Sequence, residues 1–304
     1  MNIFITGATG YLGYHFAKMA LSEGHRVLCL RRLTSVSLFE PEEESHVQWV
    51  NNDDEAKLRE TVDAFQPDVL FHAAWACTGG GRDNVELQRG NIDMSRRLFM
   101  LYPYRQIIAL GSQAEYGYYS SLVLEDSKTM PLSKYGWAKI QTCKILEEYC
   151  EEHNIERQWI RLFTVFGEKQ TGGLIKLMTE KCLAGEKVFD TTEGCQRYSL
   201  MYARDYARAI CKVLGAKGKS GVYNLSQPSD IYSNRELLQR IKELLHSNIL
   251  LNFGAFPYPD NQVMYMDGDV SKFEMQFGAI PHTYFDDALI WTVNFFKDEF
   301  AHEK

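Results

Sequence analysis

The stretch NIFITGATGYLGYHFAKMALS, residues 2–22, decides the fold. Asn2–Thr6 is a short apolar run of strand type, and Tyr11–Ser22 carries apolar residues at helical spacing. Between them stand Gly7, Gly10 and Gly13. Glycines here let the backbone turn sharply and bring a pyrophosphate to the helix N-terminus, where free N–H groups and the dipole attract it. Three glycines alone mark many ordinary turns. The strand before and the helix after give this loop its dinucleotide reading, with Thr9, Tyr11 and Leu12 as its other contacts.

Outward from the loop, apolar runs recur at Arg26–Leu30, Val69–His72, Gln106–Gly111 and Gln158–Phe163. Helix-like segments separate them at Glu55–Phe65, Asn91–Tyr102 and Tyr135–His153. Strand–helix alternation with short connections implies an α/β fold, a doubly wound parallel sheet of Rossmann type. Residues 1–166 form the expected dinucleotide-binding domain. Residues 167–304 are less regular and read as a smaller C-terminal substrate-binding lobe, with about 200–225 returning to the first domain. Tyr284–Phe296 reads as a helix covering the core.

The second strand ends in Arg31 and Arg32. An NAD site usually places an acid here for the ribose hydroxyls, whereas the 2′-phosphate of NADP calls for cations. The pair therefore points to NADP, with NAD as the alternative; two arginines solvating a strand end would look the same.

Tyr135 and Lys139 lie one helical turn apart, on one face. An ammonium near a phenol is expected to lower its pKa toward neutrality, so that it exchanges a proton with a carbonyl or carbinol. The spacing alone is weak, since Tyr14 and Lys18 repeat it on the first helix, where a surface pair is expected. Ser112, just past an apolar strand, distinguishes the second copy; its hydroxyl would donate to the substrate oxygen. Ala73 and Ala74 place small residues against the cofactor, and Asn91 is read as beginning the helix that follows. His72 reads as a satisfied strand-end residue, and Trp75 and Trp137 as packing beside the site.

The segments GATGYLG at 7–13, HAAW at 72–75, GSQAEYG at 111–117, YGWAK at 135–139 and RLFTVFG at 161–167 occur in this order. Asp205 before an apolar helix, GVYNLS at 221–226 and FGAIP at 277–281 extend the set over nearly the whole chain. In these segments the chain resembles the extended short-chain dehydrogenase/reductase family, in its nucleotide-sugar epimerase, dehydratase and reductase branch. The resemblance implies a Ser112–Tyr135–Lys139 catalytic triad. It also implies cofactor contacts from Ala73, Ala74, Trp75, Asn91, Tyr135, Lys139, Phe163 and Val165, the lysine holding the nicotinamide ribose, and substrate contacts from Gln113 and Thr164. Many members carry a diphosphate-binding arginine where Tyr198 stands; Arg197, one place earlier, is the substitute this sequence offers, although a one-residue shift in a strand reverses the face.

The sequence departs from the branch's dehydratases and decarboxylases, which carry an acid where Ala114 stands. It departs also from the GDP-fucose epimerase–reductases, which carry a cysteine there and a histidine after the RLF strand. A 4-ketoreductase or a 4-epimerase remains. Arg31 favours the reductase, and GSQAEYG with FGAFPYPDNQVM at 254–264 resembles the enzymes finishing deoxysugar nucleotides, such as CDP-abequose and CDP-paratose synthases. The expected activity is NADPH-dependent reduction of a nucleotide-linked 4-keto-deoxysugar. The alternatives are an NAD-dependent 4-epimerase and, outside enzymes, an NADP-binding regulatory protein.

The 304 residues carry a formal charge of -7, which argues against nucleic acid as partner. Seven scattered cysteines without a CxxC pair fit reduced thiols and a cytoplasmic protein. No signal peptide or membrane-spanning run is read, and no histidine or acid spacing predicts a metal. A homodimer through the helix bearing Tyr135 and Lys139 is left open, since core packing explains Ile140, Cys143 and Leu146 equally well.

Overall fold

A computed structural model describes residues 1–76 and 80–302. Cys77, one of the seven cysteines, lies outside the described residues; the other six are free thiols. The first half runs β1 Asn2–Thr6, α1 Tyr11–Ser22, β2 Arg26–Arg31, α2 Pro41–Glu44, β3 Gln48–Asn51, α3 Glu55–Phe65, β4 Val69–His72 and α4 Val85–Phe99. It continues with β5 Gln106–Ser112, a 3-10 turn at Gln113–Glu115, α5 Lys134–His153, β6 Glu156–Leu162 and β7 Thr164–Phe166. The rest comprises α6 Leu174–Leu183, β8 Val188–Thr191, β9 Arg197–Tyr202, α7 Ala203–Cys211, β10 Gly221–Leu225 and β11 Ile231–Ser233. The chain ends with α8 Asn234–Leu244, β12 Leu250–Phe253, β13 Tyr265–Met266, α9 Ser271–Phe277 and α10 Phe285–His302.

Seven strands form one parallel sheet in the order β10-β6-β5-β4-β1-β2-β3. Its central strands β1, β2, β4 and β5 carry continuous apolar runs because both faces are covered. Ile3 and Ile5 of β1 pack on one side with Phe16 of α1 and Ile210 of α7, while Phe4 packs on the other with Leu58 of α3 and Leu98 of α4. The strand order reverses between β1 and β4, and in open α/β sheets ligands bind in the crevice outside the carboxyl ends at that point.

The smaller lobe holds a sheet of β11-β9-β13 with β7 beside β9, a two-stranded β12-β8 sheet and its own core around Ile175, Leu238 and Phe296. Between β9 and β11 the chain re-enters the first domain: α7 lies against α1, and β10 pairs with β6 at the edge of the large sheet. Asp205 in α7 accepts from the N–H and hydroxyl of Thr283, fixing the approach to α10.

Two sequence expectations need correction. The helix read from Asn91 begins at Val85, capped by the Asn84 side chain, so Asn91 lies within α4. The strand β3 was not foreseen, being an edge strand of four residues in which only Val50 is fully buried. No described helix is long and apolar enough to cross a membrane.

Candidate active site

The glycine loop sits at the switch point. Gly7 has φ +81, and a Cβ there would lie 2.7 Å from the backbone nitrogen of Ala74. At Gly13 a Cβ would meet the Gly7 carbonyl oxygen at 2.2 Å. The loop is therefore folded tightly against residues 73–74. α1 starts at Gly10 with no side-chain cap and no acid in its first turn, leaving open N–H groups for an anion. These features fit the pyrophosphate of a dinucleotide. Thr9 and Leu12 flank the loop half-buried. Tyr11 instead packs edge-on against His15 at 5.1 Å and turns a buried hydroxyl toward Gly167.

Arg31 ends β2 and is engaged there. Its guanidinium lies 5.2 Å over the Trp49 ring, its Nε donates to Asn51 Oδ1 at 3.3 Å, and Glu44 stands 3.8 Å away. Arg32 is exposed. The sequence shows no acid at this strand end, but the fold brings one near, since Asp53 accepts from the Leu33 N–H at 2.9 Å.

Ser112, the last residue of β5, and Tyr135, the second residue of α5, face one cleft of about 560 Å³ with Gln113, Ala114, Thr164 and Tyr198. Ser133 caps α5 by accepting from Gly136 N–H, and the Tyr135 N–H donates to the Arg82 carbonyl at 2.8 Å. Lys139 is buried one turn later, its Nζ donating to the Leu110 carbonyl at 2.7 Å. Burial lowers its pKa to about 7, opposed by the negative charge of Glu115.

Contrary to the sequence expectation, the Tyr135 phenol lies above its ordinary pKa. Burial raises it, while the Ser112 hydrogen bond and the Arg82 guanidinium, 4.9 Å over its ring, pull it back. The Lys139 Nζ stands 5.8 Å from that ring and 3.6 Å from the ring of Trp75. Arg82 was not singled out from sequence, because nothing in GGGRDN marks which residue returns to the tyrosine.

Glu115 is turned away from the cleft. Its carboxylate accepts from the Ser112 N–H at 2.9 Å, Trp159 Nε1 at 3.0 Å and Arg161 Nε at 2.8 Å. The wall beside Ser112 thus carries Gln113 and Ala114 and no acid from this turn.

Asn91 brackets Ala76, donating to its carbonyl at 2.9 Å and accepting from its N–H at 2.8 Å. It holds the segment after β4 although it does not start a helix. His72 accepts from the Thr6 hydroxyl at 2.8 Å and donates to Ser95 at 2.9 Å, an assignment fixed because the Ser95 hydroxyl itself donates to the Asn91 carbonyl. Burial lowers its pKa to about 3 and keeps it neutral.

Phe163 and Val165 are buried, Phe163 behind the cleft with Tyr116 and Met266, Val165 in the main core. Arg197 does not reach the cleft. It is exposed, pairs with Glu236 at 3.2 Å and donates to the Ile231 carbonyl. Its neighbour Tyr198 lines the cleft in its place, with Gln262 bonded to its hydroxyl. A second cleft of about 720 Å³ lies among α1, α7 and α10, where Lys18–Glu43, Lys169–Glu40 and Arg204–Glu168 are paired ions. Tyr14, there, is buried against Phe39 rather than at the surface. No group of three or more metal-ligating side chains is gathered among the described residues.

Over residues 3–226 the chain matches the NAD dependent epimerase/dehydratase family, and it belongs to that family. Among its relatives is the CDP-abequose synthase of Salmonella muenchen, 24% identical over 277 residues, 86% of this chain and 87% of that protein. Solved structures with the same fold include the UDP-N-acetylglucosamine 4-epimerase of Methanobrevibacter ruminantium (TM-score 0.86, 22% identity, 98% of both chains). The UDP-glucose 4-epimerase of Thermotoga maritima is also similar (TM-score 0.82, 20% identity, 98% of this chain and 99% of that one). The chain is an enzyme of this extended short-chain dehydrogenase/reductase family.

Proposed function

We propose that this enzyme uses NADPH to reduce a nucleotide-linked 4-keto-deoxysugar. The observation that carries the reading is the wall beside Ser112. Proton abstraction next to a carbonyl, as in dehydration, calls for a carboxylate there. Ala114 fills that position, and Glu115 is committed to Arg161 behind it. The likeness to CDP-abequose synthase and the strand-end arginines Arg31 and Arg32 support the same choice.

Bound cofactor supplies the hydride. The protein's part is to hold the substrate oxygen between the Ser112 hydroxyl and the Tyr135 phenol, which face one cleft. Ser112 donates a hydrogen bond to the oxygen as negative charge builds. Tyr135, protonated because burial raises its pKa, delivers the proton. Lys139 and Arg82 place positive charge near the phenolate that remains. Asn91 orders the segment after β4 that carries Trp75 and would lie against the cofactor, and Gln113, Thr164 and Tyr198 line the cleft that would take the sugar.

A second reading, an NAD-dependent 4-epimerase, is favoured by one observation. Arg31 is already bonded to Asn51 beside Glu44, a carboxylate that would repel a 2′-phosphate.

The test is a titration of wild type and Arg31→Ala with NADPH and NADH, followed by incubation with nucleotide 4-keto-deoxysugars. Stoichiometric NADPH consumption, with an NADPH preference lost in the variant, supports the reductase. NAD that co-purifies with the protein, together with interconversion of C4 epimers, replaces it with the epimerase.

A further inference from the structure

Lys139 is an ammonium in an unusual position. It is buried, and among the described residues its one hydrogen bond goes to the Leu110 carbonyl and no carboxylate lies at ion-pair distance. A buried cation without a counter-ion is costly unless something else stabilises it. The nearest group able to do so is an aromatic face: the Trp75 ring centroid lies 3.6 Å from Nζ.

The indole is itself held in place. Its Nε1–H donates to Gln88 Oε1 at 2.9 Å, and its ring meets Tyr135 edge-to-face at 6.0 Å and 85°. One side chain therefore touches both members of the tyrosine–lysine pair, from a segment anchored by Asn91.

We propose that Trp75 is a positioning residue of the hydride-transfer site, its indole face holding the Lys139 ammonium in charged form and its edge bracing the Tyr135 ring. The role rests on the reading of Tyr135 and Lys139 as the reacting pair, and it adds a group from outside the triad. The negative face of an indole attracts a desolvated ammonium, and the structure sets that face against Nζ.

Other charges face Lys139 from each packed element. Strand β4 brings His72, neutral between Thr6 and Ser95. The turn after β5 brings Glu115, acting from beyond Trp159, whose ring lies 5.9 Å from Nζ. Strand β6 brings Arg161, which is paired with Glu115. Its own helix brings Tyr135, with Arg82 over that ring. Of these groups Glu115 favours the ammonium, from beyond ion-pair distance and while itself paired with Arg161.

The experiment follows Lys139 itself, with neither substrate nor cofactor. The full chain is labelled with 13C-lysine, the Lys139 Cε resonance is identified by its loss in Lys139→Arg, and its pH titration is compared in wild type, Trp75→Phe and Trp75→Leu. Losing a desolvated cation–π contact should lower the Lys139 midpoint by about one pH unit in the leucine variant. Phenylalanine, which keeps an aromatic face, should recover most of the shift. A wild-type titration in Trp75→Leu, or equal shifts in both variants, overturns the proposal. If the leucine variant does not fold, biosynthetic 5-fluorotryptophan weakens the ring face at unchanged shape, and an unshifted Lys139 there also overturns it. An enzyme inert toward every 4-keto sugar nucleotide would sink the substrate reading while leaving this titration as informative as before.

Discussion

Glu115 Oε2 and Arg161 Nε meet at 2.8 Å directly behind the Ser112 turn, with the carboxylate wholly out of water. The pair carries further bonds, from Ser112 N–H and Trp159 to the acid and from Arg161 to the Tyr116 hydroxyl and the Glu125 carbonyl. Removing one partner strands the other charge. Glu115→Ala is expected to cost about 3–5 kcal/mol, and Glu115→Leu with Arg161→Met together clearly less. Urea unfolding of the two variants measures this; equal losses would mean that the pair's charges do not oppose their burial as argued.

Tyr135→Phe removes the proton donor and leaves the ring in place. Turnover should fall by roughly 10²–10⁴. Ser112→Ala, which removes one donor to the substrate oxygen, should lose about 10²–10³. Cofactor affinity, read by NAD(P)H fluorescence, should change far less than turnover in both, since neither residue belongs to the glycine loop that holds the pyrophosphate.

Gly13→Ala places a methyl group where the Gly7 carbonyl stands, at 2.2 Å. The backbone must shift, and a displacement costing only about 1.4 kcal/mol of binding already weakens the cofactor tenfold. Calorimetric titration should show at least that loss, with the far-ultraviolet spectrum preserved.

His72 titrates at about 3 because burial disfavours its cation, against an ordinary value of 6.5. The unfolded chain therefore takes up a proton between those values that the folded chain refuses. Stability contributed by neutral His72 is complete above pH 6.5 and drains away as pH falls, by up to about 1.4 kcal/mol per unit. His72→Asn should flatten the stability profile between pH 4 and 6.5. An unchanged slope would assign the acid sensitivity to other groups.

The strands of the first domain were readable because burial on both faces leaves uninterrupted apolar runs, as in Ile3–Ile5 and Val69–Phe71. The edge strand β3 and the polar first turns of α4 carry no such imprint. The order of glycine loop, Ser112, Tyr135 and Lys139 was legible because each stands at a strand or helix end that the pattern marks. What each side chain touches was less so. Glu115 finds Arg161 across 46 residues, and Arg82 comes back to Tyr135 through a loop without periodicity. Arg197 lay one place from the expected position, and strand alternation was enough to turn it outward while Tyr198 faced in.

The return of β10 to the large sheet has a consequence for how this protein can be taken apart. A fragment stopping at residue 166 would leave β6 as a bare, unpaired edge, its row of amide and carbonyl groups ready to recruit another chain. The complementary piece would carry α7 and β10 with their inner faces exposed. Severed at that point, the halves should precipitate alone and dissolve only when produced together, so the natural seam of this molecule is not a place where it can be cut.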